Sequence, residues 1–164
     1  MTRGAAGLYR GALYLRAMRA VGEGPRGTMI RNKAQILDYL LKKLKSTCQD
    51  VEEAALVTDE GLVLVATTED AAQQERLSAL TAAVMRQTVR SAEGLALGAA
   101  SFVIVAAQNG NLFMKWIDKR SFLAVTVRRN ADWRAVRQLV ARTVADVRHI
   151  GEIPGSLAST TRLA

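Results

Sequence analysis

Apolar residues recur at spacings of four and three from Ile30 to Cys48, through Ala34, Leu37, Leu41 and Leu44. A single stripe of that kind predicts an amphipathic helix over about 31–48, with Gln35, Asp38, Lys42, Lys45 and Gln49 turned away from it. The period then changes. Ala54–Thr58 and Leu62–Thr67 are short apolar runs around Asp59-Glu60-Gly61, which predicts two strands and a tight turn, because Gly61 can take a positive φ. Helical spacing returns over 72–92, where Asp70 can cap the start and Gly94 the end. A third strand spans about 100–108. Phe102, Ile104 and Ala106 point to one side of it, and Ser101, Val103, Val105 and Ala107 to the other; both sets are largely apolar, so both faces should be covered. Asn109-Gly110 signals a hairpin into a strand at 111–117, and Asp118-Lys119-Arg120 turns the chain into a strand at 121–128. A last helix is expected over 131–149, capped by Asn130, with Trp133, Val136, Leu139, Val140, Val144 and Val147 on its apolar face.

Two helices carry more than one legible surface. On the second, Leu77, Leu80, Val84 and Thr88 form the expected core stripe. Ala72, Ala79, Ala83, Arg86 and Arg90 line another side, with Ala82 beside it. That side is either a contact face, which alanine keeps flat enough for a second backbone, or an exposed stretch rich in a good helix former. On the third helix, Arg134, Arg137, Arg142 and Arg148 lie outward. A solvated face is the simpler account of them; acidic partners or lipid headgroups are the other.

Composition changes the picture in three places. Only 5% of the residues are aromatic, so Leu, Val, Ile and Ala must fill the core. The chain of 164 residues suggests one domain over 29–150 between a 1–28 extension and a mobile 151–164 tail. Half of the formal charge of +8 sits in residues 1–28, where Arg3, Arg10, Arg16, Arg19 and Arg26 oppose Glu23 alone. The domain itself is therefore only mildly basic, and nucleic acid is not expected as a partner. Met29 is read as the true start, with Gly22-Glu23-Gly24 compatible with a purine-rich ribosome-binding sequence upstream; a disordered tail and a transit peptide are the alternatives. The abundance of Ala, Arg, Leu and Gly hints at a high-GC bacterial genome. No apolar run approaches the roughly 18 residues that cross a bilayer, so no transmembrane segment is expected. With one cysteine, Cys48, no intrachain disulfide forms and a reducing cytoplasm is the default.

Catalytic signatures are missing. There is no Gly-x-x-x-x-Gly-Lys-Ser/Thr run, no His-Glu-x-x-His and no Gly-x-Ser-x-Gly. His149 is the only histidine; at the end of a helix it is better placed to complement the dipole than to act as a base. Cys48 falls on the first helix's apolar stripe, where a buried structural thiol is expected. The acidic pairs Glu52-Glu53, Asp59-Glu60 and Glu69-Asp70 sit at element ends and read as solvated loop charge. No enzyme activity, cofactor or metal is expected.

At this point the chain resembles the Roadblock/LC7 family. Ala54-Ala55-Leu56-Val57-Thr58-Asp59-Glu60-Gly61-Leu62-Val63 is similar to its first hairpin, and Leu77-Ser78-Ala79-Leu80-Thr81-Ala82-Ala83 to the Ala-rich start of its second helix. Asn109-Gly110-Asn111-Leu112 and Leu123-Ala124-Val125 are similar to its later hairpin and last strand. The resemblance implies an α/β domain of order α-β-β-α-β-β-β-α, with one antiparallel five-stranded sheet, two helices on one face and one on the other. It implies a homodimer paired through strand three and helix two, which would place Ala72, Ala79, Ala82, Ala83, Ser101, Val103 and Val105 at the contact. It also implies a small Ras-like GTPase as partner, with Arg76, Arg86 and Arg90 supplying charge at the rim. The role would be that of a non-enzymatic regulator or scaffold, able to stimulate hydrolysis by positioning the GTPase's own groups. Two other readings remain: a structural adaptor that grips a peptide or larger assembly, as dynein light chains do, and a basic surface-binding protein.

Overall fold

The chain folds around one antiparallel sheet in the order β2-β1-β5-β4-β3. The structure, a computed structural model, describes residues 25–152. Its elements are α1 (Pro25–Thr47), β1 (Val51–Thr58), β2 (Val63–Ala66), α2 (Ala71–Gly94), β3 (Phe102–Ala106), β4 (Asn111–Trp116), β5 (Ser121–Val127) and α3 (Trp133–Glu152). The order and class match those expected. α1 begins at Pro25, at the position where a proline loses nothing by lacking its N–H, and runs through Met29 rather than starting after it. Residues 1–24 of the expected extension and 153–164 of the expected tail lie outside the described residues, as does the side chain of Ile30.

The centre of the sheet is buried on both faces. Ala54 and Leu56 of β1 join Leu123 and Val125 of β5 in a core with Leu37, Leu41 and Leu44 of α1 and Val136, Val140 and Val144 of α3. The alternate residues Ala55, Val57, Phe122 and Ala124 join Ala82 and Met85 of α2 in a second core on the other side. This alternation follows from the two-residue period of a strand. Cys48 lies beside the first core but is only half-buried, so the fully buried thiol expected there is not found.

α2 turns a different face to the sheet from the one its leucines suggested. Ser78, Thr81, Ala82 and Met85 are buried, whereas Leu80 is 59% exposed. The helix is thus rotated by about 100°, one residue's step, from the predicted phase. Hydroxyls make this possible. Ser78 donates to the carbonyl of Glu75 and Thr81 to those of Leu77 and Ser78, so neither is buried with an orphaned donor. Small residues also let the helix sit close to the β1–β2 turn. A Cβ placed on Gly61, which has a φ of +87°, would lie 3.5 Å from that of Ala82.

The caps are partly as expected. The Asp70 carboxylate accepts from the N–H groups of Ala72 and Gln73. At the other end Gly94 is still helical. Ala96 takes the left-handed conformation, φ +54°, while Ala96 and Leu97 donate to the carbonyls of Glu93 and Ala92. For α3 the capping side chain is Asp132, not Asn130: it accepts from the N–H groups of Arg134 and Ala135. The β3–β4 hairpin exists, but with a loop over 107–110 closed by the Ala107 N–H and the Gly110 carbonyl. Gly110 does not use a positive φ there; a side chain at that position would press on the Val127 carbonyl, 3.2 Å from the Cβ.

Candidate interaction surface

β3 forms one edge of the sheet, hydrogen-bonded to β4 on one side only. Contrary to the expectation of cover on both faces, Phe102, Ile104 and Val105 are each 39% exposed. The reason lies in where the helices rest. α2 packs across β1 and β2, and α3 lies mainly against α1 and β4, reaching the outer strand through Arg137 over the Phe102 ring, so most of β3 has no helix above it. Phe102 and Ile104 look toward the α1/α3 side, where Phe113 lies opposite Ile104. Val103 looks toward the α2 side, opposite Met114 and packed against the second core. Leu112 and Trp116 are only partly buried on that same side.

The expected contact residues divide accordingly. Ala72, Ala79 and Ala83 are exposed on the outward face of α2. Ala82, expected beside them, is 1% exposed and belongs to the inner core, so it cannot touch a partner. Ser101 is exposed just ahead of β3, Val103 is half-buried and Val105 is exposed. Sequence reasoning missed Leu80, assigned to the core because its stripe was read one residue out of phase. It also missed Leu95 and Leu97, 69% and 74% exposed in the turn after α2.

Arg76, Arg86 and Arg90 are all exposed on α2. Arg86 is committed within the chain: its guanidinium donates to the Asp59 carbonyl, tying α2 to the β1–β2 turn. The side chains of Arg76 and Arg90 make no hydrogen bond or ion pair among the described residues. Fourteen residues apart, they stand about 21 Å from each other along the helix. Arg120 pairs with Glu60 at 3.4 Å, and Glu53 is held by Lys45 and by the Thr67 hydroxyl at 2.7 Å. Among the described residues no three of His, Cys, Asp and Glu are placed to hold a metal ion, and no helix is long and apolar enough to cross a membrane. His149 is exposed in the last turn of α3. On α1 the Lys42 ammonium is held above its ordinary pKa by its hydrogen bond to Asp38, 2.8 Å away, and then by that carboxylate's charge.

The family model described as the Roadblock/LC7 domain matches residues 37–126. A Roadblock/LC7 domain from Streptomyces avermitilis superposes with a TM-score of 0.66 at 23% identity, covering 68% of this chain and 94% of that one. Myxococcus xanthus MglB superposes with a TM-score of 0.65 at 14% identity, covering 71% of this chain and 88% of its own. An MglB with tetrameric arrangement gives 0.65 at 15% identity, over 79% of this chain and 93% of that one. At these identities the likeness is one of fold. No curated protein matches the chain.

Proposed function

The chain belongs to the Roadblock/LC7 domain family, and from that premise we propose that two copies of it pair to form a non-enzymatic platform that binds a small Ras-like GTPase in the cytoplasm. The observation that carries the pairing is the unpartnered β3 edge, with apolar side chains exposed on both of its faces. An open edge of this kind is an aggregation hazard unless something completes it. A second copy related by a two-fold axis would do so with the same strand, and Ala72, Ala79 and Ala83 would let the two α2 helices approach. The fold is shared with an MglB that has a tetrameric arrangement, which favours self-association.

The GTPase half of the proposal rests on resemblance to the family's prokaryotic regulators. The paired α2 helices would meet the switch region, and preference for one switch arrangement would shift its population. Arg76 and Arg90 are the cations on this face that remain available for a partner; Arg86 serves the protein's own turn. Acting this way, the platform holds the GTPase's catalytic groups in place and contributes none itself.

Sedimentation at micromolar concentrations tests the pairing: a dimer supports it and a solitary folded chain overturns it. Copurification from the native cell tests the partner, followed by single-turnover GTP hydrolysis with any GTPase recovered. Arg76→Glu with Arg90→Glu should abolish that copurification. Recovery of an assembly without a GTPase would favour the structural adaptor instead.

A further inference from the structure

A second surface lies on the opposite side of the sheet from α2 and shares Ser101 and Phe102 with the β3 edge just described. Between the N-terminal half of α3 and the β3–β4 hairpin runs a groove of about 560 Å³. Its apolar wall is aromatic. The rings of Phe102 and Phe113 stand 5.8 Å apart, and that of Trp133 meets Phe113 edge-on at 6.4 Å. Its charged groups are Lys115, Arg134 and Arg137, with no acidic residue in the lining.

The three cations are not neutralised from within. None makes an ion pair or a side-chain hydrogen bond among the described residues. Arg137 lies over the Phe102 ring, 5.3 Å from its centre, which holds the guanidinium at the groove wall. Lys115 is the more telling residue. It is half-buried on the sheet, paired across the strands with Phe102 on one side and Leu123 on the other. Its stem can lie along these apolar neighbours while the ammonium stays at the groove, open to an anion. The carboxylate of Asp132 caps α3, one oxygen accepting from the Arg134 and Ala135 N–H groups, and makes no ion pair with these cations.

We propose that this groove binds an acidic peptide segment of a partner protein, with an apolar anchor against Phe102, Phe113 and Trp133 and carboxylates on Lys115, Arg134 and Arg137. Charge selects this occupant. Three uncompensated cations beside an aromatic wall fit a chain that alternates carboxylates with a bulky apolar residue. All six residues come from one chain, so the site needs no second copy. In a dimer formed through β3, two such grooves would flank the two-fold axis, and a bivalent partner would gain avidity from both.

The test uses the full chain and a fluorescein-labelled peptide of Asp and Glu with a central Phe and Leu, followed by anisotropy. Two control peptides replace the acids by Lys, or the Phe and Leu by Ser. The acidic peptide should bind, both controls should bind more weakly, and binding should fall with salt. Lys115→Glu with Arg137→Glu should weaken it by at least about tenfold, as expected when two of the three cations of the site are reversed. Arg76→Glu with Arg90→Glu should leave it unchanged, as should Val105→Lys, which separates this proposal from the dimer and the GTPase. Equal binding of the Lys peptide, or no effect of the groove substitutions, overturns the proposal. So does binding confined to Val105→Lys, which would mean that a second copy fills the groove. Capture by phosphatidylserine vesicles through the same cations, without peptide binding, overturns it in favour of a membrane.

Discussion

If two copies pair through β3 as proposed, replacing Val105 by lysine should split the dimer and leave the subunit folded. Val105 lies on the outer strand and is 39% exposed in the single chain. Full burial of a valine side chain stabilises by about 2 kcal/mol, so covering that remaining fraction contributes about 0.8 kcal/mol per copy and about 1.6 kcal/mol per dimer. Lysine forfeits this and also brings two ammonium groups into a contact built from the same patch twice. Desolvating or separating them costs about 1–2 kcal/mol each even when the stems bend toward solvent. The total of about 4 kcal/mol corresponds to a rise of about a thousandfold in the dimer Kd. Sedimentation velocity over a wide range of concentrations reads this directly, with circular dichroism to show that the subunit is intact. Tyr39→Lys on α1, at a side chain already 62% exposed, is the control and should not alter association. The reasoning is refuted if Val105→Lys remains folded and dimerises as tightly as the parent chain.

Three further substitutions probe the fold that presents these surfaces. Met85→Ala removes a side chain that is 0% exposed beneath α2 and should cost about 3 kcal/mol, lowering Tm by roughly 10 °C in a thermal melt. Asp70→Ala removes the cap of α2 and should cost about 1 kcal/mol, seen as a lower denaturant midpoint with an unchanged slope. Ala96→Gly should stabilise the chain by up to about 1 kcal/mol, because relief of the left-handed strain exceeds the added freedom of the unfolded state. A lower Tm for that last variant would show that the Ala96 methyl makes a contact outweighing its backbone strain.

The order of elements was legible because the period of apolar residues switches cleanly between helix and strand. The ends of elements were less so. Asp70 and Gly61 were identifiable because a cap and a tight turn each ask for a specific chemistry. Asn130 was mistaken for Asp132 because two side chains of similar capping ability lie two residues apart, and only the path of the backbone chooses between them. Gly94 looked like a helix stop, yet the left-handed residue is Ala96, tolerated because the capping hydrogen bonds to Glu93 and Ala92 outweigh its strain.

The phase of α2 and the cover of β3 failed to be legible for a shared reason. A hydrophobicity pattern records which residues prefer to leave water, not which surface receives them. Leu80 and Val105 both read as buried, and in the single chain both are exposed. Ser78 and Thr81 were not part of the expected core stripe, yet they are buried, and each hydroxyl is satisfied by its own helix. This disagreement between apolar pattern and single-chain burial, running in one direction along two elements, is what the proposed pairing would account for. The groove beside α3 raises the same question with charge in place of apolarity, since Lys115, Arg134 and Arg137 line it without an acidic residue among them.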